Sequence, residues 1–172
     1  MASKDRSDGI TAWGIHDAVF DSNILARILL TIVTAGYAVA PLIADLNSTH
    51  ATNPLGTPYA RFHVVWQVLS YSGFGLIALG LIWIPGPHAT ARLYLASGFA
   101  AAVLFPFFIT FANMRLFGGA HYDVNGYLPK PVPIFGRIVK FDANTSVFSI
   151  VTLILLLALI SISGTDVKIA GQ

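Results

Sequence analysis

Four stretches of this chain are apolar over roughly the 20 residues that an α-helix needs to cross a hydrocarbon core, and polar residues collect between them. The first uncharged run, residues 28–44, follows Asp21, Ser22 and Asn23, all residue types that cap helices, and Arg27, which can snorkel to headgroups. It predicts a helix over about residues 23–44. A second helix is predicted over about 61–84, stopped by Pro85-Gly86-Pro87 because proline cannot continue the backbone ladder. Thr90 is the expected cap of a third helix, about 91–114, with Pro106 inside it, and the short hairpin makes it the antiparallel neighbour of the second. The fourth is predicted over about 144–163. The fold class expected is therefore all-α: an integral membrane four-helix bundle forming a single domain over residues 1–172.

Ala38-Val39-Ala40 imitates a signal-peptidase site, but the long, partly acidic leader and Pro41 favour an anchor. Upstream, residues 10–20 mix Trp13, Ile15, Val19 and Phe20 with His16 and Asp17, which fits either a short interfacial helix or a loose tail. With four spans, both termini and the Pro85 hairpin share one face, the terminal rim. The longer segments 45–60 and 115–143 share the other, the loop rim. Lys4, Arg6, Arg27, Arg92 and Lys168 balance Arg61, Arg115, Lys130, Arg137 and Lys140 across the membrane. The expected location is a bacterial inner membrane with cytoplasmic termini.

Composition agrees with a lipid-solvated chain: 55% of residues are hydrophobic and 10% charged, with a mean hydropathy of +0.71, whereas soluble domains carry about 25% charged residues. The ten basic residues are scattered, so no nucleic-acid footprint is present. With no cysteine in the sequence, thiol catalysis, disulfide relays and iron–sulfur ligation are excluded. All eight acidic residues are aspartate and none lies inside a predicted span, which argues against a proton-driven exporter.

The polar side chains gather at the loop rim. Asp45, His50, Asn53, Arg61, His63, Arg115, His121, Asp123, Asn125 and Asp142 all map there, which makes it the place to expect a site, although loop residues are also polar simply because they meet water. Spacings of three and four add polar rows within the spans: Thr34 and Tyr37; His63, Gln67 and Ser70 with Tyr71; Thr110 and Asn113; Thr145, Ser149 and Thr152. For the hydroxyls the simpler reading is hydrogen bonding between helices, alongside small-residue contacts such as Gly98 with Ala102. An ionisable or amide group inside a span is costlier, so His63 and Gln67 stand out, with a headgroup-level histidine as the alternative for His63.

His50, His63 and His121 with Asp45 and Asp123 supply the right atoms for a metal, but no pair has the spacing that sets two ligands on one helical face, so no metal site is assigned. A buried haem would need ligands deeper in the membrane. Acid–base chemistry needs a protected group of tunable pKa, and His63 beside Asp45 or Asp123 is the candidate, with Arg61 to hold an anionic group. Asn47-Ser48-Thr49 and Asn144-Thr145-Ser146 match a glycosylation sequon but read as caps or turns.

The stretches His50-Ala51-Thr52-Asn53-Pro54-Leu55 and Ala60-Arg61-Phe62-His63-Val64-Val65-Trp66-Gln67, with Gly118-Gly119 through Gly126, resemble a family of small bacterial and fungal membrane proteins of unknown function. That resemblance spans all four helices and implies no activity. In topology alone the chain is similar to the four-helix sterol-isomerase and sigma-2-receptor-like group, whose members bind amphiphiles in a bundle cavity. Those isomerases use carboxylates within the bundle, and this chain has no glutamate and no aspartate in a predicted span, so none of their catalytic positions transfers.

The function expected is binding, and perhaps transformation, of a lipid-like or small apolar ligand in a cavity open to the loop rim. His63 would be the acid–base group, and Asp45, His50, Asn53, Arg61, Gln67, His121, Asp123 and Asn125 would contact the ligand. The sequence names no cofactor. The partners expected are membrane lipids, and the rival reading is an accessory or assembly subunit of a larger membrane complex.

Overall fold

A computed structural model of the chain describes residues 23–126 and 128–170, with side chains as far as Gly164. The segment expected to form an interfacial helix, residues 10–20, lies outside the described residues. The described chain folds into α1 (Ile24–Ala38), a short continuation α2 (Ala40–Ala44), α3 (Pro58–Trp83), α4 (Ala89–Asn113) followed by a 3-10 turn, a hairpin of β1 (Lys130–Ile134) and β2 (Arg137–Phe141), and α5 (Ala143–Ala170). Four spans, Ile24–Ala44, Pro58–Trp83, Ala89–Leu116 and Ala143–Gly164, are long and apolar enough to cross a membrane. The architecture is that of an integral membrane helix bundle with one small sheet added.

Packing follows the buried stripe on each helix. Ala26, Leu30, Val33 and Tyr37 of α1 meet Val68, Ala78 and Ile82 of α3, Leu93, Ala96, Ala100, Val103 and Leu104 of α4, and Val151, Leu155, Ala158 and Ile162 of α5. The three-and-four spacing of most of these positions sets each stripe on one face of its helix. α1 touches all three other long helices and packs most extensively against α5. Lipid tails give no hydrophobic drive for helices to associate, so close approach and hydrogen bonds must hold the bundle. A Cβ on Gly75 would collide with Ala38, and one on Gly36 would come within 2.8 Å of Val151, so glycine sets both crossings of α1. Gly98, expected at such a contact, instead faces open space among the described residues. Ser72 Oγ donates to the Ala38 carbonyl at 2.9 Å, and Trp83 Nε1 donates to Thr31 Oγ1 at 2.8 Å.

Helix ends explain where the boundaries differ from expectation. α3 begins at Pro58 rather than near 61, because Thr57 accepts a hydrogen bond from the Ala60 amide at 3.1 Å and proline suits the first turn. α4 begins at Ala89 after His88, whose φ is +58°; Thr90 already lies inside the helix and does not cap it. α5 starts after Asp142, which accepts from the Thr145 amide at 2.8 Å, and continues beyond the expected end to Ala170. At the terminal rim the last carbonyls of α3 are taken up by two arginines: buried Arg27 donates to the Ile82 carbonyl, and Arg92 Nη2 donates to that of Gly80 at 2.9 Å.

The hairpin was not expected from the Leu-Pro-Lys-Pro-Val-Pro stretch, which reads as a stiff loop. Its strands pair antiparallel, from Lys130 opposite Phe141 to Ile134 opposite Arg137. Phe135 (φ +46°) and Gly136 (φ +75°) form the two-residue turn, and positive φ at both positions is what joins twisted strands most tightly. The prolines survive because this two-stranded ribbon has only edge strands.

Candidate functional site

At the loop rim the segment after α2, the segment after α4 and the ends of the spans enclose an open cavity of about 440 Å³. Its helical wall is mostly apolar, from Ala60 and Val64 of α3, Phe107 and Phe111 of α4, and Met114 of the 3-10 turn that follows. The wall supplied by the loops carries most of the polar groups, Thr49, His50, Asn53, His121 and Asp123, with Asn144 joining from the start of α5. The apolar wall is rigidly built: Phe107 stacks on Phe148 of α5 with ring centres 3.9 Å apart, and Phe111 meets the His121 ring edge-on at 5.2 Å.

Asn53, 7% exposed, is the hub of the polar wall. Its Nδ2 donates to the Thr49 carbonyl at 3.1 Å and to Asp123 Oδ2 at 2.9 Å, and its Oδ1 accepts from the Leu55 amide at 2.9 Å and from Asn125 Nδ2 at 3.4 Å. Asp123 Oδ1 in turn accepts from the Asn125 amide at 2.7 Å. Arg61 reaches across from α3, donating through Nη2 to the Asn53 carbonyl at 2.8 Å. Its Nε is buried and has no hydrogen-bond partner among the described residues.

Two histidine–aspartate pairs flank the cavity. His50 Nδ1 lies 3.7 Å from Asp45 Oδ1 and 2.7 Å from the Thr49 hydroxyl. Burial raises the Asp45 carboxyl above its ordinary range, and His50 partly opposes that shift. His121 Nε2 lies 3.7 Å from Asp142 Oδ2, and Asp142 is 7% exposed and already committed to capping α5. Asn144 Nδ2 donates to the His121 carbonyl at 3.0 Å, which fixes that histidine's backbone beside the same helix end. A histidine held against a carboxylate at a cavity wall has the components to orient or move a proton.

Five of the residues proposed from sequence, His50, Asn53, Arg61, His121 and Asp123, line the cavity together. Asp45 and Asn125 stand behind them, joined through His50 and Asn53. His63 lies elsewhere: its ring packs against Tyr59 at 4.4 Å and among Phe62 and Trp66, an aromatic group with three strongly exposed members. Such a cluster suits the headgroup level of a bilayer. Gln67 is exposed and also outside the cavity lining. Phe107, Phe111, Met114 and Phe117 also line the cavity and are not legible as site residues in the sequence, since an apolar residue near the end of a span carries no signal separating a cavity wall from a lipid-facing surface. Asp142 was placed at the rim without a role; its position before an apolar run, three residues ahead of Thr145, is an N-cap signal.

Among the described residues no group of three or more histidine or acidic side chains is arranged to hold a metal ion. Comparison with protein-family models, with curated proteins and with solved structures gives no match to this chain.

Proposed function

We propose that this membrane bundle binds an amphipathic small molecule at the loop rim, with the polar head against Asn53, Arg61, His121 and Asp123 and the apolar body along Phe107, Phe111 and Val64. The observation that carries the reading is the make-up of the cavity: Asn53, Arg61, His121 and Asp123 converge on an open space whose helical wall is apolar and largely aromatic. The volume falls within the range of small-molecule sites, and a few polar groups on an apolar wall are what such sites use to orient a ligand. His121, backed by Asp142, is the group we assign to proton transfer should the ligand be transformed; His63 has no part in this reading. The proposal includes a bacterial inner-membrane location with both termini cytoplasmic, which labelling of single introduced cysteines from either side would check.

The test is gentle purification from the native membrane followed by native mass spectrometry. A stoichiometric amphiphile that is lost in the Arg61→Ala variant supports the reading. Recovery of the protein without any small molecule, but with stoichiometric partner proteins, overturns it and makes the chain an accessory subunit.

A further inference from the structure

The β1–β2 hairpin is built unlike a water-facing loop. Phe135 occupies a left-handed backbone conformation that bulky residues rarely adopt, and its side chain is fully exposed, so among the described residues no side-chain packing offsets the cost that the tight turn imposes. Ile138 is 74% exposed, and Val132, Val139 and Phe141 are also exposed. Between residues 128 and 141 there are three basic residues, Lys130, Arg137 and Lys140, and no acidic one. The base of the hairpin does not stand clear of the bundle: Val139, Lys140 and Phe141 share a groove of about 350 Å³ with Thr145, Ser149 and Ile150 of α5. Ile150 is two turns, about 10 Å, inside the fourth span, so β2 runs beside the part of α5 that meets the headgroups.

We propose that this hairpin is a membrane-surface anchor that inserts the Phe135 tip into the acyl boundary of the leaflet on the loop-rim side and holds anionic phospholipid headgroups with Lys130, Arg137 and Lys140. An aromatic tip in the interface removes the exposed apolar surface from water. Each basic residue near an anionic surface adds attraction that falls off over a Debye length. The inference is independent of what occupies the cavity.

The chain has no cysteine, so Ile138→Cys places a single spin label on the hairpin of the full-length protein. Oxygen and nickel-chelate accessibility then report its depth in vesicles of phosphatidylglycerol and phosphatidylcholine. The label should sit at the acyl boundary. Replacing Lys130, Arg137 and Lys140 together with Gln should shift the immersed-to-aqueous ratio about a hundredfold towards water. Phe135→Gly, which relieves the backbone, should also lift the label out, separating a role in the bilayer from a role in the turn. A label fully accessible to the nickel chelate in anionic vesicles would overturn the proposal and leave the hairpin to a protein partner. Equal depth in pure phosphatidylcholine and in the Gln variant would overturn the headgroup assignment.

Discussion

Asn53 and Asp123, seventy residues apart in sequence, are joined by a 2.9 Å hydrogen bond that ties the segment after the first span to the segment after the third. Because Asn53 is nearly buried and Asp123 brings a charge, this bond is worth more than a surface contact. Asp123→Ala should lower stability by about 1–2 kcal/mol, measured by denaturant titration in detergent micelles, and should weaken ligand retention because both residues line the same wall. Unchanged stability and unchanged retention would show that the two loops are held by other contacts.

Exchange of the two histidines distinguishes the cavity from the helix surface. His121→Gln should weaken binding of the co-purified amphiphile about tenfold, the worth of one well-made hydrogen bond. His63→Gln should leave binding unchanged, since its ring sits among Tyr59, Phe62 and Trp66. The reverse result, read by titration calorimetry, would move the site to the aromatic face of α3 around His63.

Asp45 predicts a pH dependence. Burial raises its folded-state pKa above the unfolded one, so the folded protein carries no penalty from this group at pH below the ordinary carboxylate range. As pH rises through that range towards the raised value, ionising Asp45 costs the folded state stability, and above it the deficit is constant. Asp45→Asn should therefore be more stable than the parent at pH 8, with the advantage shrinking as pH falls towards 4, followed by thermal unfolding. His50, 3.7 Å away, partly opposes this shift and so trims the difference. A variant less stable than the parent at pH 8 would contradict this.

Gly75 tests the helix crossing. A side chain there meets Ala38, so Gly75→Leu should destabilise the bundle by about 1–3 kcal/mol through overpacking, while Gly98→Leu, which points into open space, should have little effect. Unfolding in mixed micelles of rising denaturing-detergent content compares the two directly.

Removing Arg27 leaves the Ile82 carbonyl without its charged donor in an almost fully buried place, so Arg27→Met should cost about 2 kcal/mol by the same unfolding measurement. Arg92→Met should cost less, because Arg92 is only partly buried and the Gly80 carbonyl it serves also accepts from the Ile84 amide.

The spans were legible because the requirement is crude: about 20 uncharged residues, bounded by proline, aspartate or arginine. Their starts were legible in principle too. Thr57-Pro58 and Asp142 carry capping chemistry, yet hydropathy alone set the expected boundaries at 61 and 144. His50, Asn53, Arg61, His121 and Asp123 come to line one cavity because parity of spans places their segments on one face whatever the helices do in detail. Which side of α3 a residue occupies is a rotational question. Helical periodicity sets Arg61 and His63, two residues and about 200° apart, on different sides, but a helix apolar nearly all round gives no amphipathic stripe to say which of them meets the cavity. The hairpin escaped notice because three prolines in seven residues, 128–134, argue against a strand, and only a ribbon consisting of two edges accommodates them.

The broadest interface in the bundle joins its first span to its last. During synthesis α1 enters the bilayer before α5 exists. Of its polar residues, Arg27 and Thr34 turn towards α3, at Ile82 and Gly75, whereas Gly36, against Val151, faces the span made last. A chain lacking α5 should therefore still enclose these two polar side chains and lose mainly close packing.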